Sequence, residues 1–340
     1  MKVMSSQQIQ LVLWISQPIL QAMIGVAIFR RKPHKQFPAF FIYIVAQVVF
    51  FLVSFPLRDN SFLIFGVYFA YYWLSHQDTT AYTGRKQLID TSPQQEAALG
   101  LQSYQEILSQ SQVVTTGPLP GQVKAIADRL IDAAPTVEKY YAETKHLPDD
   151  TDWGSYQWAV NVLQSDEVNA FCLPGGKIAV YTGIMPVAQN ADGLAIVMGH
   201  EIAHALLRHG GERMAQQKLV QLGTMAAGMS VSDMDPQQQQ MVMAALGAGA
   251  QYGVLLPFSR SHESEADHVG LLLAAAACFN PEEAPKLWER MGALSRQKPP
   301  EFASTHPSDS TRIDQLNAWM PEADSVRQHF CSSGGATGQP

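Results

Sequence analysis

Two histidines with three residues between them, the first followed at once by a glutamate, stand at His200-Glu201-Ile202-Ala203-His204. Around them apolar residues recur at Ile196, Val197, Ala203, Leu206 and Leu207, and no Pro or Gly follows Gly199 until Gly210. That pattern predicts a helix. Residues four apart on a helix differ by about 40° around its axis. His200 and His204 therefore project side by side, as two imidazoles must to share one metal ion. Glu201 lies about 100° from His200, where it can approach a water without ligating the metal. The chemistry this predicts is metal-assisted hydrolysis. Zinc lowers the pKa of a bound water to about 7, and Glu201 takes its proton and later hands it to the leaving amine.

A catalytic zinc site needs three protein ligands and one open position. The stretch Ser261-His262-Glu263-Ser264-Glu265-Ala266-Asp267-His268 leads into a second apolar helix, and Glu263 and Asp267, four apart, share a face of it. An acidic cluster on a helix is ordinarily a wet surface. Beside a His-Glu-x-x-His helix with no third ligand of its own, Glu263 becomes the best available third. Glu265 points away and reads as solvated. A third histidine six residues after His204, with a glycine between, would be the other solution, but Gly210 and Leu207 hold those places. His209 is off that register and reads as a histidine at a helix end. His306, in the turn Ser304-Thr305-His306-Pro307, is either a loop histidine or an occupant of the open metal position.

The elements that must position these residues can be read in outline. Ser92-Pro93-Gln94-Gln95 has the cap, the proline and the glutamine of a helix start, and that helix runs to about Gln110. Val123, Ile126, Leu130 and Ile131 predict a helix to about Ala133. Residues 156–163 alternate as a strand. The turn-rich run Asn169 to Gly176 leads into another strand, residues 177–182, from Lys177 to Thr182. Pro174 and the paired glycines suit a sheet edge, and an exposed edge can add an extended polypeptide substrate as a further strand. Residues 212–229 and 241–255, rich in Ala, Gly and Met, read as helices, the second as a buried helix or a wall of the active site. Helices follow at 280–294 and after Ser308 or Asp309.

Composition divides the chain. Residues 1–76 hold six Lys/Arg and one acid; the rest holds 17 against 29, giving the overall −7. An acidic remainder argues against nucleic acid as a partner. Residues 9–29 and 37–55 are uncharged and mostly apolar, each long enough to cross a hydrocarbon core of about 30 Å. The basic loop between them, Arg30-Arg31-Lys32, should be cytoplasmic. Residues 62–74 are short and rich in Tyr and Trp, so they span, re-enter or lie in the headgroups. With two spans the remainder lies outside the cytoplasm, with three inside; the shortness of the third segment favours outside. The expected location is a bilayer, taken as a bacterial inner membrane. Cys172, Cys278 and Cys331 are odd in number and widely spaced, so no disulfide framework is expected.

From about residue 83 to residue 316 the chain resembles family forty-eight of the metallopeptidases, which includes the HtpX-like membrane proteases, the CAAX prenyl proteases and the periplasmic quality-control metalloproteases. The resemblance rests on four motifs in order. They are His200-Glu201-Ile202-Ala203-His204, Asn169-Ala170-Phe171 with Gly175-Gly176, Glu263-Ser264-Glu265-Ala266-Asp267, and Thr305-His306-Pro307. It implies a compact gluzincin fold, one Zn2+ per chain, and cleavage of peptide bonds. His200, His204 and Glu263 would bind zinc, Glu201 would act as general base and Asp267 would support the site. In some relatives the histidine of the His-Pro turn approaches the metal or substrate, which makes His306 a further candidate. The first 76 residues fall outside the resemblance.

The expectation is thus an α+β, mostly helical peptidase domain with a small sheet over residues 92–330. A helical membrane anchor (1–76) and a polar linker (77–91) precede it, and a disordered tail (331–340) follows. Its expected activity is endoproteolysis of unfolded or misfolded protein. The competing reading is a latent zinc-binding, chaperone-like module in which His306 closes the metal site.

Overall fold

The computed structural model describes residues 61–230, 235–250, 255–295 and 310–332. Two compact units are distinguished, Met1–Tyr71 with Met225–Gln239, and Tyr72–Thr224 with Gln240–Pro340. The first described helix is α1 (Ser61–Ser75). No helix among the described residues is long and apolar enough to cross a membrane. The two predicted spans, at 9–29 and 37–55, lie outside those residues, as do His306 and the tail beyond Ser332.

Residues 77–91, expected as a linker, are instead part of the fold. Gln77–Thr79 (β1) and Lys86–Leu88 (β2) form an antiparallel hairpin, and Thr80, Tyr82, Gln87 and Leu88 are buried. Their polarity belongs to hydrogen-bonding groups turned inward. Helix α2 (Pro93–Gln110) starts as expected, with Ser92 accepting from the Gln95 N–H and the Gln95 side chain accepting from the Ser92 N–H. Helix α3 (Leu119–Lys145) runs past the predicted end and through Pro135. Its buried stripe, Val123, Ala127, Leu130, Ala134, Val137 and Tyr141, alternates steps of four and three. Continuous burial of that stripe outweighs the one hydrogen bond that the proline removes.

The three-stranded sheet is ordered β3-β5-β4. Ala159–Leu163 (β3) is parallel to Lys177–Tyr181 (β5), and Ala170–Leu173 (β4) is antiparallel to it. Residues 177–182 are therefore not an edge: β5 is the central strand, paired on both sides. Pro174-Gly175-Gly176 make the tight turn between β4 and β5, both glycines having positive φ. A free edge of the sheet lies at β4, which no other strand flanks among the described residues.

Against β4 packs α4 (Ala191–Leu206), capped by Asn190 through the Gly193 N–H. Next come α5 (His209–Ser230) and α6 (Pro236–Ala250). Residues 241–255 are expected as a buried helix or a site wall. Along α6, however, Met241 and Leu246 are exposed, and Met225 of α5 is too. Helix α5 does bury a face, with Ala215, Leu219 and Ala226 inside, whereas the Ala and Gly residues of α6 offer little apolar area to hold one against a core. Helix α7 (Leu256–Ala276) crosses α4, α8 (Glu283–Ser295) packs on both α4 and α9, and α9 (Ser310–Ser332) lies along α7. The core of this unit sits among α3, α4, α7 and the sheet, with Leu130, Ile178, Met198, Ile202, Leu271 and Leu273 fully buried.

Cys278 and Cys331 are joined by a disulfide, with Cα atoms 5.7 Å apart. Spacing did not suggest this, because 53 residues separate the pair. The packing of α9 on α7 brings them together and leaves Cys172 as a buried free thiol.

Candidate metal centre

The site begins at a helix crossing. Gly199 of α4 faces Gly270 of α7, and a Cβ on Gly270 would stand 2.6 Å from the backbone N of His200. One on Gly199 would stand 2.8 Å from the Gly270 carbonyl oxygen. The two backbones touch because neither residue has a side chain. This contact sets the separation between the His-Glu-x-x-His helix and the helix carrying Glu263.

Three donor atoms then converge. His200 Nε2 and His204 Nε2 are 3.0 Å apart, and the Glu263 carboxylate oxygens lie 3.4 Å from each. Donors at about 2.0–2.1 Å around a tetrahedral ion would stand about 3.3–3.4 Å from one another. The observed triangle has that size, so these residues fit one small divalent ion. Among the described residues, His200, His204 and Glu263 are the group so arranged. His204 keeps 14 % of its side chain exposed whereas those of His200 and Glu263 are buried, which makes the His204 side the open one.

The other nitrogen of each imidazole is already engaged. His200 Nδ1 donates to Asp267 at 2.9 Å. His204 Nδ1 lies 2.8 Å from His209 Nδ1. Both Nε2 lone pairs are thereby turned to the centre, as metal ligation requires. Burial pulls the His200 imidazole down, but the hydrogen bonds and charges of Asp267 and Glu263 outweigh it and raise its pKa to about 9. Burial, reinforced by His200 and His209, holds His204 well below the usual range despite Glu263. The carboxylates of Asp267 and Glu263 beside the two buried rings make an environment that attracts a cation.

Asp267 is buried, yet Arg312 and His200 hold its carboxyl below the usual range against that burial. Arg312 reaches it from α9 through Nε and, at 2.7 Å, through Nη2. The same guanidinium lies 3.4 Å from Glu263 Oε2 and stacks 3.4 Å from the Trp288 ring centroid. Glu201 is buried on α4. Its charge, after burial, contributes to raising the pKa of Cys172 on β4, so Glu201 stands near the strand that carries the free edge.

Sequence reasoning missed Arg312, Trp288, His209 and the role of Glu265. Glu265 was read as solvated; it is buried and pairs with Arg85 at 2.6 Å and His209 at 3.1 Å. The partly solvated side of α7 here is the stripe of Ser261, Ser264 and His268, whereas His262, Glu263, Glu265, Ala266 and Asp267 are all buried. His209, read as a helix-end histidine, is likewise buried at the start of α5. His306 lies outside the described residues.

A pair of histidines one turn apart, a glutamate from a second helix and a buried carboxylate behind the first ring are the arrangement that could hold a metal ion for hydrolysis. The sequence signature of Peptidase family M48 matches residues 137–320, which contain His200, Glu201, His204, Glu263, Asp267 and Arg312. The chain belongs to this family. It is a metalloendopeptidase, and the metal dependence is that of the family. Among its relatives, "Mitochondrial metalloendopeptidase OMA1" of Schizosaccharomyces pombe is 34 % identical over 80 % of this chain and 76 % of its own length. The protein of the same name in Saccharomyces cerevisiae is 31 % identical over 82 % and 79 %. "Metalloendopeptidase OMA1, mitochondrial" of Danio rerio is 32 % identical over 75 % of this chain and 53 % of its own length. The family resemblance expected from the four motifs is thereby established, the M48 match covering residues 137–320 of the expected 83–316 and a few beyond.

Proposed function

We propose that this M48 metalloendopeptidase is a membrane-anchored zinc enzyme that cuts unfolded or loosened polypeptide chains, with His200, His204 and Glu263 as ligands and Glu201 as general base. The observation that carries the reading is the triangle of His200 Nε2, His204 Nε2 and the Glu263 carboxylate at 3.0–3.4 Å. Two imidazoles and a carboxylate are a donor set that suits zinc and leaves a fourth position for water or substrate. When bound, the ion supplies Lewis acidity toward the scissile carbonyl and the attacking water. The protein's own residues do the rest. Glu201 takes the proton of the water and delivers it to the departing amine. Asp267 holds His200 by its Nδ1–H, and Arg312 holds Asp267.

The substrate reading moves from β5 to β4. Asn169 and Leu173 give their carbonyls to β5-side partners, Tyr181 and Gly176. By strand alternation the backbone groups of Ala170 and Cys172 face the other way. An extended chain adding there would lie on the side of α4 that carries Glu201. Such binding requires a peptide free of its own secondary structure, which selects unfolded or loosened substrates.

Anchoring is supported by the two apolar stretches at 9–29 and 37–55, by the basic loop between them and by α1. With 15 residues α1 is about 22 Å long. It exposes Val67, Tyr68, Tyr71 and Leu74, a composition suited to the membrane interface. Two spans place the peptidase on the side opposite the basic loop. The relatives described above carry mitochondrial names, so the membrane is not assigned to a bacterial cell.

The test is casein cleavage by the detergent-purified full chain, wild type beside Glu201→Gln, with zinc measured in both. The expected result is equal zinc and cleavage by the wild type alone. Wild-type turnover in the variant defeats the assignment of Glu201. Zinc in both with cleavage by neither favours a latent binding module instead.

A further inference from the structure

Behind His204, on the side away from the metal position, a chain of polar contacts runs through the interior of the second unit to the β1–β2 hairpin. His204 Nδ1 is 2.8 Å from His209 Nδ1, and His209 Nε2 is 3.1 Å from Glu265 Oε2. Glu265 receives Arg85 Nε at 2.6 Å and the hydroxyl of Thr83. The same Arg85 holds Glu212 through both terminal nitrogens, at 3.0 and 2.6 Å. Glu212 receives His262 Nε2 at 2.9 Å, and the His262 ring stacks on His209 with centroids 4.3 Å apart. His209, His262, Glu212 and Glu265 are all buried.

The proton positions in this chain follow from what each group can do. A carboxylate accepts only, so His209 Nε2 carries the hydrogen directed at Glu265. In a neutral ring that leaves His209 Nδ1 as an acceptor. The facing His204 Nδ1 must then be the donor, which leaves His204 Nε2 bare and aimed at the metal position. Stacking on His262 fixes the plane of His209, and Arg85 fixes the carboxylate that sets its tautomer. His200 receives the same service from Asp267 in one step; His204 receives it in two, through His209 and Glu265.

We propose that His209 and Glu265, held by Arg85 from the β1–β2 turn, are positioning residues that set the tautomer and ring orientation of His204 for metal ligation. This rests on the reading of His204 as a metal ligand. Partners of this kind, hydrogen-bonded to a ligating histidine, typically change metal affinity by about 10–100-fold when removed.

The experiment uses the full chain in detergent, stripped of metal and titrated with Zn2+ against a chromophoric chelator at fixed pH. The d–d absorption of the Co2+-loaded form reports ligand geometry directly. The variants are His209→Ala, Glu265→Ala, Glu265→Gln and His204→Ala, each checked for folding by circular dichroism. His209→Ala should weaken Zn2+ about 10–100-fold and shift the Co2+ bands. Glu265→Ala should move the same way, and Glu265→Gln, whose amide oxygen still accepts from His209, should recover most of the loss. Should His209→Ala fail to fold, the two Glu265 variants decide. Wild-type Zn2+ affinity in His209→Ala and Glu265→Ala, while His204→Ala loses the metal, overturns the proposal and leaves the ligand set standing. Equal loss in the two Glu265 variants also overturns it, since the hydrogen bond then plays no part. Wild-type affinity in His204→Ala removes the ligand assignment itself and this inference with it.

Discussion

Arg312 shows how a single side chain can tie the metal centre to a distant part of the sequence. It lies 45 residues beyond Asp267, binds that carboxylate through two nitrogens and rests on Trp288. Asp267 is otherwise a buried negative charge whose partner is one imidazole N–H. Arg312→Ala should therefore cost about 3–5 kcal/mol, the range for breaking a buried ion pair by removing one member. A thermal melt of the metal-free protein measures it; an unchanged midpoint would mean that water replaces the guanidinium at no cost. His200, Glu201 and His204 were legible because helix geometry alone relates residues four apart. Glu263 was legible by what a three-ligand site still lacked. Arg312, His209 and Glu265 were not, because their contacts depend on how helices pack. A charge on α7 reads as solvated until the partner that buries it is known.

Among the elements, the crossing of α4 and α7 positions the site, and two glycines make it possible. Gly270→Ala would place a methyl group 2.6 Å from the His200 backbone N. It should destabilise the fold by about 1–3 kcal/mol or more, as overpacking does, and weaken metal binding by pushing Glu263 away from the histidines. Gly247→Ala on the exposed helix α6 meets nothing within 4 Å. It should be neutral or stabilise by up to about 1 kcal/mol through helix propensity. Parallel melts with zinc titrations test both; equal effects would show that the crossing can relax. The outlines of α2, α4 and α7 could be read from caps and apolar spacing. Strand order could not. Lys177 to Thr182 looked like an edge because the neighbouring Pro and Gly residues suit edges, but they serve the β4–β5 turn, and pairing partners lie outside any local pattern.

At the scale of the molecule, two further fastenings hold α9, besides Arg312. Glu322 receives Tyr141 and Lys145 from α3 and His268 from α7, at 2.5–2.8 Å. Against the effect of burial, the Lys145, His268 and Tyr141 hydrogen bonds lower the Glu322 carboxyl to about 2. Its contribution to stability is therefore complete above the unfolded value of 4.5 and disappears as pH falls toward 2. Solvent reaches this group, so the contribution is about 1 kcal/mol at most. The melting difference between wild type and Glu322→Gln should be present at pH 7 and vanish near pH 2; a constant difference would place its origin in packing. The second fastening is the Cys278–Cys331 disulfide. Its reduction should lower stability by on the order of 4 kcal/mol on the chain-entropy account, measured by denaturant titration with and without reductant. Neither fastening was visible in the sequence, since each joins helices that meet only in the folded chain.

That disulfide also makes a covalent ring of the chain between residues 278 and 331. A protease that nicks the backbone anywhere inside the ring opens it without releasing a fragment. The helix bearing Arg312 would stay tethered, on one side of the cut or the other, and the nicked molecule would migrate at full mass on a gel run without thiol. Only the gel run with thiol would show two bands. The ring thus turns a severing event into a silent one, and the oxidation state of two sulfurs decides whether a damaged molecule falls apart or keeps its Arg312 beside the metal centre.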